Sequence, residues 1–195
     1  MHIIGILLAG GHSRRFGSNK LLHPMADGQP VALVAARHLL AALPQSIAIV
    51  RDDTSLGTLL KAEGMQVIEC TTAQQGMGDS LAATVRFASA QGEVGGFVIA
   101  LADMPYIQPQ TITAVADGLA GGAGIVLPVH AGQRGHPVGF AARFSDALQA
   151  LAGDEGARAI VQANRSMVME ITVEDAGVLR DIDYPTDLQA DPAAD

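Results

Sequence analysis

Short apolar runs alternate with segments of helical period along the first two thirds of the chain, and this alternation leaves few folds open. "HIIGILLA" (2–9), "SIAIV" (46–50), "QVIEC" (66–70), "GFVIALA" (96–102) and "GIVLPV" (124–129) have the length and branched-residue content of strands. Between them, 30–43, 55–63, 78–90 and 109–120 repeat apolar residues at helical spacing. Pro30 and Pro44 bracket the first of these helices, and Asp79 or Ser80 caps the third. Strand–helix alternation requires crossover connections, so the expected fold is α/β, with a mostly parallel sheet covered on both faces. After residue 130 the order changes. "HPVGFA" and "SMVMEITV" read as strands, and 143–151 and 155–163 as helices. This portion is expected to cover one edge of the sheet or its mouth. No repeat, low-complexity linker or boundary interrupts the pattern, so residues 1–188 are expected to form one domain and 189–195 a disordered tail.

Charge narrows the choice of ligand. Twenty acids against twelve bases give a net charge of −8. That balance argues against nucleic acid or an anionic membrane surface as partner. Aromatics are 4% of the chain and Trp is absent, which removes base-stacking platforms. Yet three of the twelve bases, Arg14, Arg15 and Lys20, fall together in the opening stretch. A cationic spot in an acidic protein suits a small anion, with a divalent metal to help hold it. Cys70 is the one cysteine, so no intrachain disulfide forms and a reducing compartment fits. No secretory leader and no bilayer-spanning run is read, and the expected location is cytoplasmic.

Ligands of open α/β sheets bind at the carboxyl ends of the strands. After the first strand comes "AGGHSRRFGSNK", whose small residues let backbone N–H groups converge on phosphate oxygens, with Arg15 and Lys20 supplying charge. The same composition also fits a plain Gly-rich turn carrying solvated arginines. Neither of the two common nucleotide fingerprints is present. After the fourth strand comes "LADMPYI", where Asp103 is either a turn residue ahead of a proline or a metal ligand. In "LRDIDYPTDL", Asp181 and Asp183 are two apart and share a face of an extended segment, so one of them can join Asp103. "QQGMGDS" can bring backbone groups to a base or ribose. "AGQRGHPVGF" places Arg134 and His136 on a loop, and "GDEGAR" puts Arg158 at a helix start, as a phosphate ligand or half of a surface ion pair. Met65, Met77, Met104, Met167 and Met169 read as core filling.

Together these segments resemble the molybdenum cofactor nucleotidyltransferases. "LLAGGHSRRFGSNK" is similar to that family's signature loop, and "QGMGDSL", "LADMP", "RGHPVGF", "GDEGAR" and "DIDYPTDL" follow in the family's order, from about residue 3 to residue 188. The resemblance implies a Rossmann-like three-layer α/β/α fold. It also implies transfer of a nucleoside monophosphate from a nucleoside triphosphate to the terminal phosphate of molybdopterin, with release of pyrophosphate. Arg15, Lys20 and Asp103 would then be catalytic, with Mg²⁺, or Mn²⁺ in its place, on Asp103 and Asp183. The nucleotide would lie against Leu8, Ala9, Gly10, Gly11, Arg15, Lys20, Gly78, Ser80 and Asp103. The acceptor would lie against Arg134, Gly135, His136, Pro137 and Arg158, with a molybdoenzyme as the partner that receives the product. "RGHPVGF", "GDEGAR" and "DID" are similar to the cytidylyl branch and imply CTP. Ala9-Gly10-Gly11 is similar to the guanylyl branch and keeps GTP as the alternative, beside a non-catalytic cofactor carrier.

Overall fold

The computed structural model describes residues 2–10, 16, 19–51, 54–70, 76–154 and 156–188. The expected tail, 189–195, lies outside the described residues, as do Gly11 and Arg15 of the opening loop.

Eight strands form one sheet. β1 (Ile3–Ala9), β2 (Ser46–Arg51), β3 (Gln66–Cys70) and β4 (Gly96–Leu101) run parallel in the order β3-β2-β1-β4. β5 (Ile125–His130), β6 (Gln133–Arg134), β7 (Val138–Ala141) and β8 (Val168–Thr172) complete it. The helices are α1 (Val31–Ala42), α2 (Thr54–Ala62), α3 (Met77–Ala90), α4 (Pro109–Ala120), α5 (Ser145–Gln149) and α6 (Arg158–Ala163).

The period of two in each strand divides the core between the two faces. On β1, Leu7 and Ala9 pack with Leu39 of α1, Leu60 of α2 and Val115 of α4. Ile4, Ile6 and Leu8 point the other way, to Leu81 and Val85 of α3, Leu148 of α5 and Ile160 of α6. On β4, Val98 and Ala100 join the first set, and Phe97 and Ile99 the second. Both faces of the central strands are therefore apolar, which is why they read as continuous runs rather than as alternating ones. The result is three layers, α/β/α, with the parallel order that the alternation requires.

The last third meets the expectation only in part: β6 and β8 pair with β5 at that end of the sheet, but β7 does not cover an edge. It enters the sheet between β4 and β5, antiparallel to both, with Ile99 opposite Val138 and Ile125 opposite Phe140. β8 runs parallel to β5 along residues 125–129. Phe140 explains the insertion: a fully buried aromatic stacking edge-on with Phe144 at 6.0 Å belongs inside the sheet. Helix α6 begins at Arg158, shorter than the 155–163 pattern, and a 3₁₀ turn over 142–144 precedes α5. Two of the five methionines fill the core, Met65 and Met104. Met77, Met167 and Met169 are close to half exposed: Met77 opens α3, Met167 ends the 3₁₀ turn before β8, and Met169 stands on β8, whose residues are half-buried or exposed.

Candidate active site

The opening loop returns to regular structure at Asn19, whose Oδ1 accepts from the Leu21 N–H at 3.1 Å and caps a 3₁₀ turn over Lys20–Leu22. That cap fixes the backbone of Lys20 and turns its side chain inward. Lys20 is among the few charged residues that are buried. Its Nζ lies 2.8 Å from Asp103 Oδ2 and 3.0 Å from Asp183 Oδ1.

Both carboxylates arrive by different routes. Asp103 stands two residues past β4, where the Ala102 N–H donates to the Leu8 carbonyl and ties the exits of β4 and β1 together. The Ile182 N–H donates to the Asp103 carbonyl at 2.8 Å. The Ile182 side chain is fully buried with Phe16 and Val31. Anchoring Ile182 inward turns its neighbours Asp181 and Asp183 to the opposite face, as extended backbone demands. Asp187 Oδ2 then accepts from the Asp183 and Tyr184 N–H groups at 2.8 and 2.7 Å, fixing the segment from behind.

The electrostatics follow from this placement. Burial by itself would lower the Lys20 pKa, but the hydrogen bonds and charges of Asp103, and then of Asp183, outweigh it and raise the ammonium above its ordinary value. Lys20 is a cation at every physiological pH. His136 behaves in the opposite way. Burial pulls its pKa below the usual range against the opposing charges of Asp103 and Asp181, so the imidazole is neutral at pH 7. Its Nδ1 is buried with no hydrogen-bond partner among the described residues.

A cleft of about 210 Å³ opens beside Lys20. Leu8, Gly10, Lys20, Ser80 and Asp103 line it, five of the nine residues read as the nucleotide set. Gly10 faces Ser80 across it: a Cβ at Gly10 would lie 3.7 Å from Ser80 Oγ, with nothing nearer among the described residues beyond its chain neighbours. Arg51, at the end of β2, Met77 and Asp154 also line the cleft, and sequence reasoning missed all three. Arg51 had a legible signal, a cation closing an apolar strand. Asp154 had none.

The α3 start and the 153–158 loop are joined. Asp79 Oδ2 accepts from the Gly76 N–H at 3.0 Å and the Gly153 N–H at 2.8 Å, and the Gly78 N–H donates to the Gly153 carbonyl at 2.8 Å. Asp79, not Ser80, therefore caps the helix, and the Gly78 amide is committed to protein. The approach is so close that a Cβ at Gly76 would lie 2.2 Å from the Gly153 carbonyl. Two of the acceptor residues stand apart from the cluster. Arg134 is exposed and forms an ion pair with Glu170 of β8, and Arg158 is exposed at the α6 start. Gly135 and Pro137 are buried on either side of His136, whose N–H donates to the Val178 carbonyl at 2.9 Å.

A cleft at the carboxyl ends of β1, β2 and β4, with a buried cation between two carboxylates, suits polyphosphate chemistry. A family model described as "MobA-like NTP transferase domain" matches residues 5–168. The chain belongs to the MobA-like NTP transferase family. The purine catabolism protein PucB of Bacillus subtilis (strain 168) is 30% identical to this chain over 195 residues, covering 94% of this chain and 93% of its own. Rv0371c of Mycobacterium tuberculosis H37Rv is 28% identical over 96% of this chain and 95% of its own, with a TM-score of 0.78. The same protein has also been solved in complex with manganese, at 26% identity, a TM-score of 0.74 and 97% of each chain. The molybdopterin-guanine dinucleotide biosynthesis protein A of Archaeoglobus fulgidus shares the fold at 21% identity, with a TM-score of 0.63 over 95% of each chain. The family is one of nucleotidyltransferases, as the six ordered motifs imply. Among the described residues of this MobA-like transferase, no helix is long and apolar enough to cross a membrane, and no cluster of three or more His, Cys, Asp or Glu side chains forms a metal cage.

Proposed function

We propose that residues 1–188 act as one cytoplasmic nucleotidyltransferase domain that transfers CMP from CTP to the terminal phosphate of molybdopterin carrying molybdenum. The observation that carries the reading is Lys20, held between Asp103 and Asp183 at the mouth of the strand-end cleft. In the reaction a terminal phosphate oxygen of the acceptor attacks the α-phosphorus of CTP. The bond to the β-phosphate breaks, and pyrophosphate leaves with its electron pair. Two anions must meet in line, so the demand on the protein is charge and alignment rather than a covalent nucleophile. Lys20 neutralises the triphosphate, and Gly10 lets its backbone approach. Arg15, outside the described residues, adds a second cation in this reading.

The hard oxygen pair of Asp103 and Asp183 fits a divalent ion of the Mg²⁺ or Mn²⁺ type, which takes one or two carboxylates and completes its shell with phosphates and water. When bound, such an ion neutralises charge on the triphosphate. The manganese in a relative's structure is in keeping with that donor set. His136, neutral and level with the end of β4, lines the acceptor side together with Gly135 and Pro137. Arg134 and Arg158 would join it only after leaving their surface positions. A molybdoenzyme then receives the product.

Gly10 favours one second reading. The missing side chain at Gly10 leaves more room for a purine than an alanine would, and GTP on the same acceptor is the alternative. One assay decides between them. The protein is incubated with Mg²⁺, the molybdenum cofactor, and CTP or GTP side by side, and pyrophosphate is measured. Faster release from CTP is expected. Faster release from GTP overturns the base, and no release from either leaves a carrier.

A further inference from the structure

Lys20 holds the two carboxylate oxygens that the preceding reading gives to a divalent ion, and one site cannot serve both cations at once. We propose that Lys20 is the resident counter-cation of the Asp103–Asp183 pair and makes metal binding conditional on a polyphosphate: the pair takes up a divalent ion when the polyphosphate draws Lys20 away. The inference rests on the reading of that pair as the metal ligands.

Two features support it. The contacts are direct, at 2.8 and 3.0 Å, from a side chain only 8% exposed, so the ammonium itself sits against one oxygen of each carboxylate, where a divalent ion would have to bind. And the backbone of Lys20 is fixed. Asn19 caps the turn, and the His23 N–H donates to the Lys20 carbonyl at 3.2 Å. What moves is the four-carbon side chain, and its destination is the adjoining cleft, which also holds Gly10 and Ser80.

The two ligands therefore differ in what they offer Lys20. A bare divalent ion takes its partners and repels it. A polyphosphate in the cleft supplies new oxygens for the ammonium. Metal and polyphosphate then bind as mutual helpers, and by linkage each raises the affinity for the other. A residue that assists the nucleotide opposes the free metal.

The test reads metal binding without turnover. Mn²⁺ is titrated into the whole chain with no nucleotide present, and free Mn²⁺ is followed by electron paramagnetic resonance. Lys20→Met is expected to bind Mn²⁺ more tightly than the unmodified protein, by about 10-fold or more, the scale of losing hydrogen bonds to a charged group. Equal or weaker binding by Lys20→Met overturns the proposal. Lys20→Gln keeps the length and removes the charge, and serves if the methionine variant fails to fold by circular dichroism. Adding Asp103→Asn to the lysine variant should cancel the gain; a gain that survives puts the metal elsewhere and overturns the proposal. If neither protein takes up Mn²⁺ at millimolar concentration, the pair is not a metal site, and both this proposal and that assignment fall. The pyrophosphate assay still decides nucleotidyl transfer separately.

Discussion

Two cavities open at opposite ends of the sheet, and the roomier one has the weaker claim to chemistry. At the amino ends of β1, β2 and β3, His2, Gln45, Ser46, Gln66, Gln91 and Glu93 help line a space of about 350 Å³. Its most evident interaction is the mutual pairing of the Gln66 and Gln91 amides, at 3.2 and 3.3 Å. At the carboxyl ends the space is about 210 Å³, but a buried ammonium, two carboxylates and the end of β2 at Arg51 converge on it. Volume alone ranks these ends wrongly. The parallel strands explain the difference, because each brings its chain exit, with whatever charge follows the apolar run, to the same side.

The comparison is most exposed to Asp103→Asn. Turnover should fall roughly 100- to 1,000-fold, the range for removing one group that stabilises charge in the transition state, with the far-ultraviolet circular dichroism unchanged. Near-normal turnover would take the chemistry away from this end. Lys20→Ala comes next, with nucleotide affinity or transfer rate lowered about 10-fold or more at low salt. Unchanged kinetics would make Lys20 a structural ion-pair partner only.

Smaller effects sharpen the contrast. Gly76→Ala places a methyl against the Gly153 carbonyl and pushes the 153–158 loop off the start of α3. A loss of about 1–3 kcal/mol in stability is expected, with a raised KM for nucleotide, read by thermal melts and initial rates. An unchanged melt would show that the two loops are not held as one piece. Among the described residues, Gly10→Ala meets Ser80 Oγ at ordinary contact distance, so it should fold normally. It should shift the CTP-to-GTP ratio of kcat/KM toward CTP by a factor of several, roughly 1 kcal/mol. At the amino-end cavity, Gln91→Ala should leave kcat/KM unchanged and stability within about 0.5 kcal/mol. A substantial loss of activity there would reverse the assignment of the two ends.

The strands of the parallel half were legible because burial on both faces leaves an uninterrupted apolar signature. The place of β7 was not, because "HPVGFA" carries no mark of which neighbours its backbone will bond. Its pairing with β4 is settled by distant partners such as Gly96 and Ala141. Met77, Met167 and Met169 misled for a related reason: composition states that a side chain is apolar, not that anything covers it. In the site, Lys20, Asp103 and Asp183 were each visible beside a strand exit or in an extended acidic segment. The joining of Asp103 and Asp183 was implied as well; how the fold brings them together around Lys20 was not. It depends on Ile182 being drawn under Phe16 and Val31, a packing choice no local pattern encodes. Asp79 is a similar case. It read as one of two cap candidates, and its second bond, to Gly153, joins segments 74 residues apart.

The reversed direction of β7 has a consequence for how such a molecule can change. Because Val138 pairs with Ile99 and the strand runs backward from there, the residues just ahead of it, His136 among them, are delivered to the end of β4 where Asp103 stands. A hairpin thus carries its own turn, Ala131 to Gly132, and a short following stretch to the border of the cleft, while β1, β2 and β4 keep their register. The exposed part of that hairpin, residues 131–134, can be exchanged to alter what meets the border of the cleft, while Gly135, with no room for a Cβ against the Val178 carbonyl, fixes where the chain turns back into the sheet.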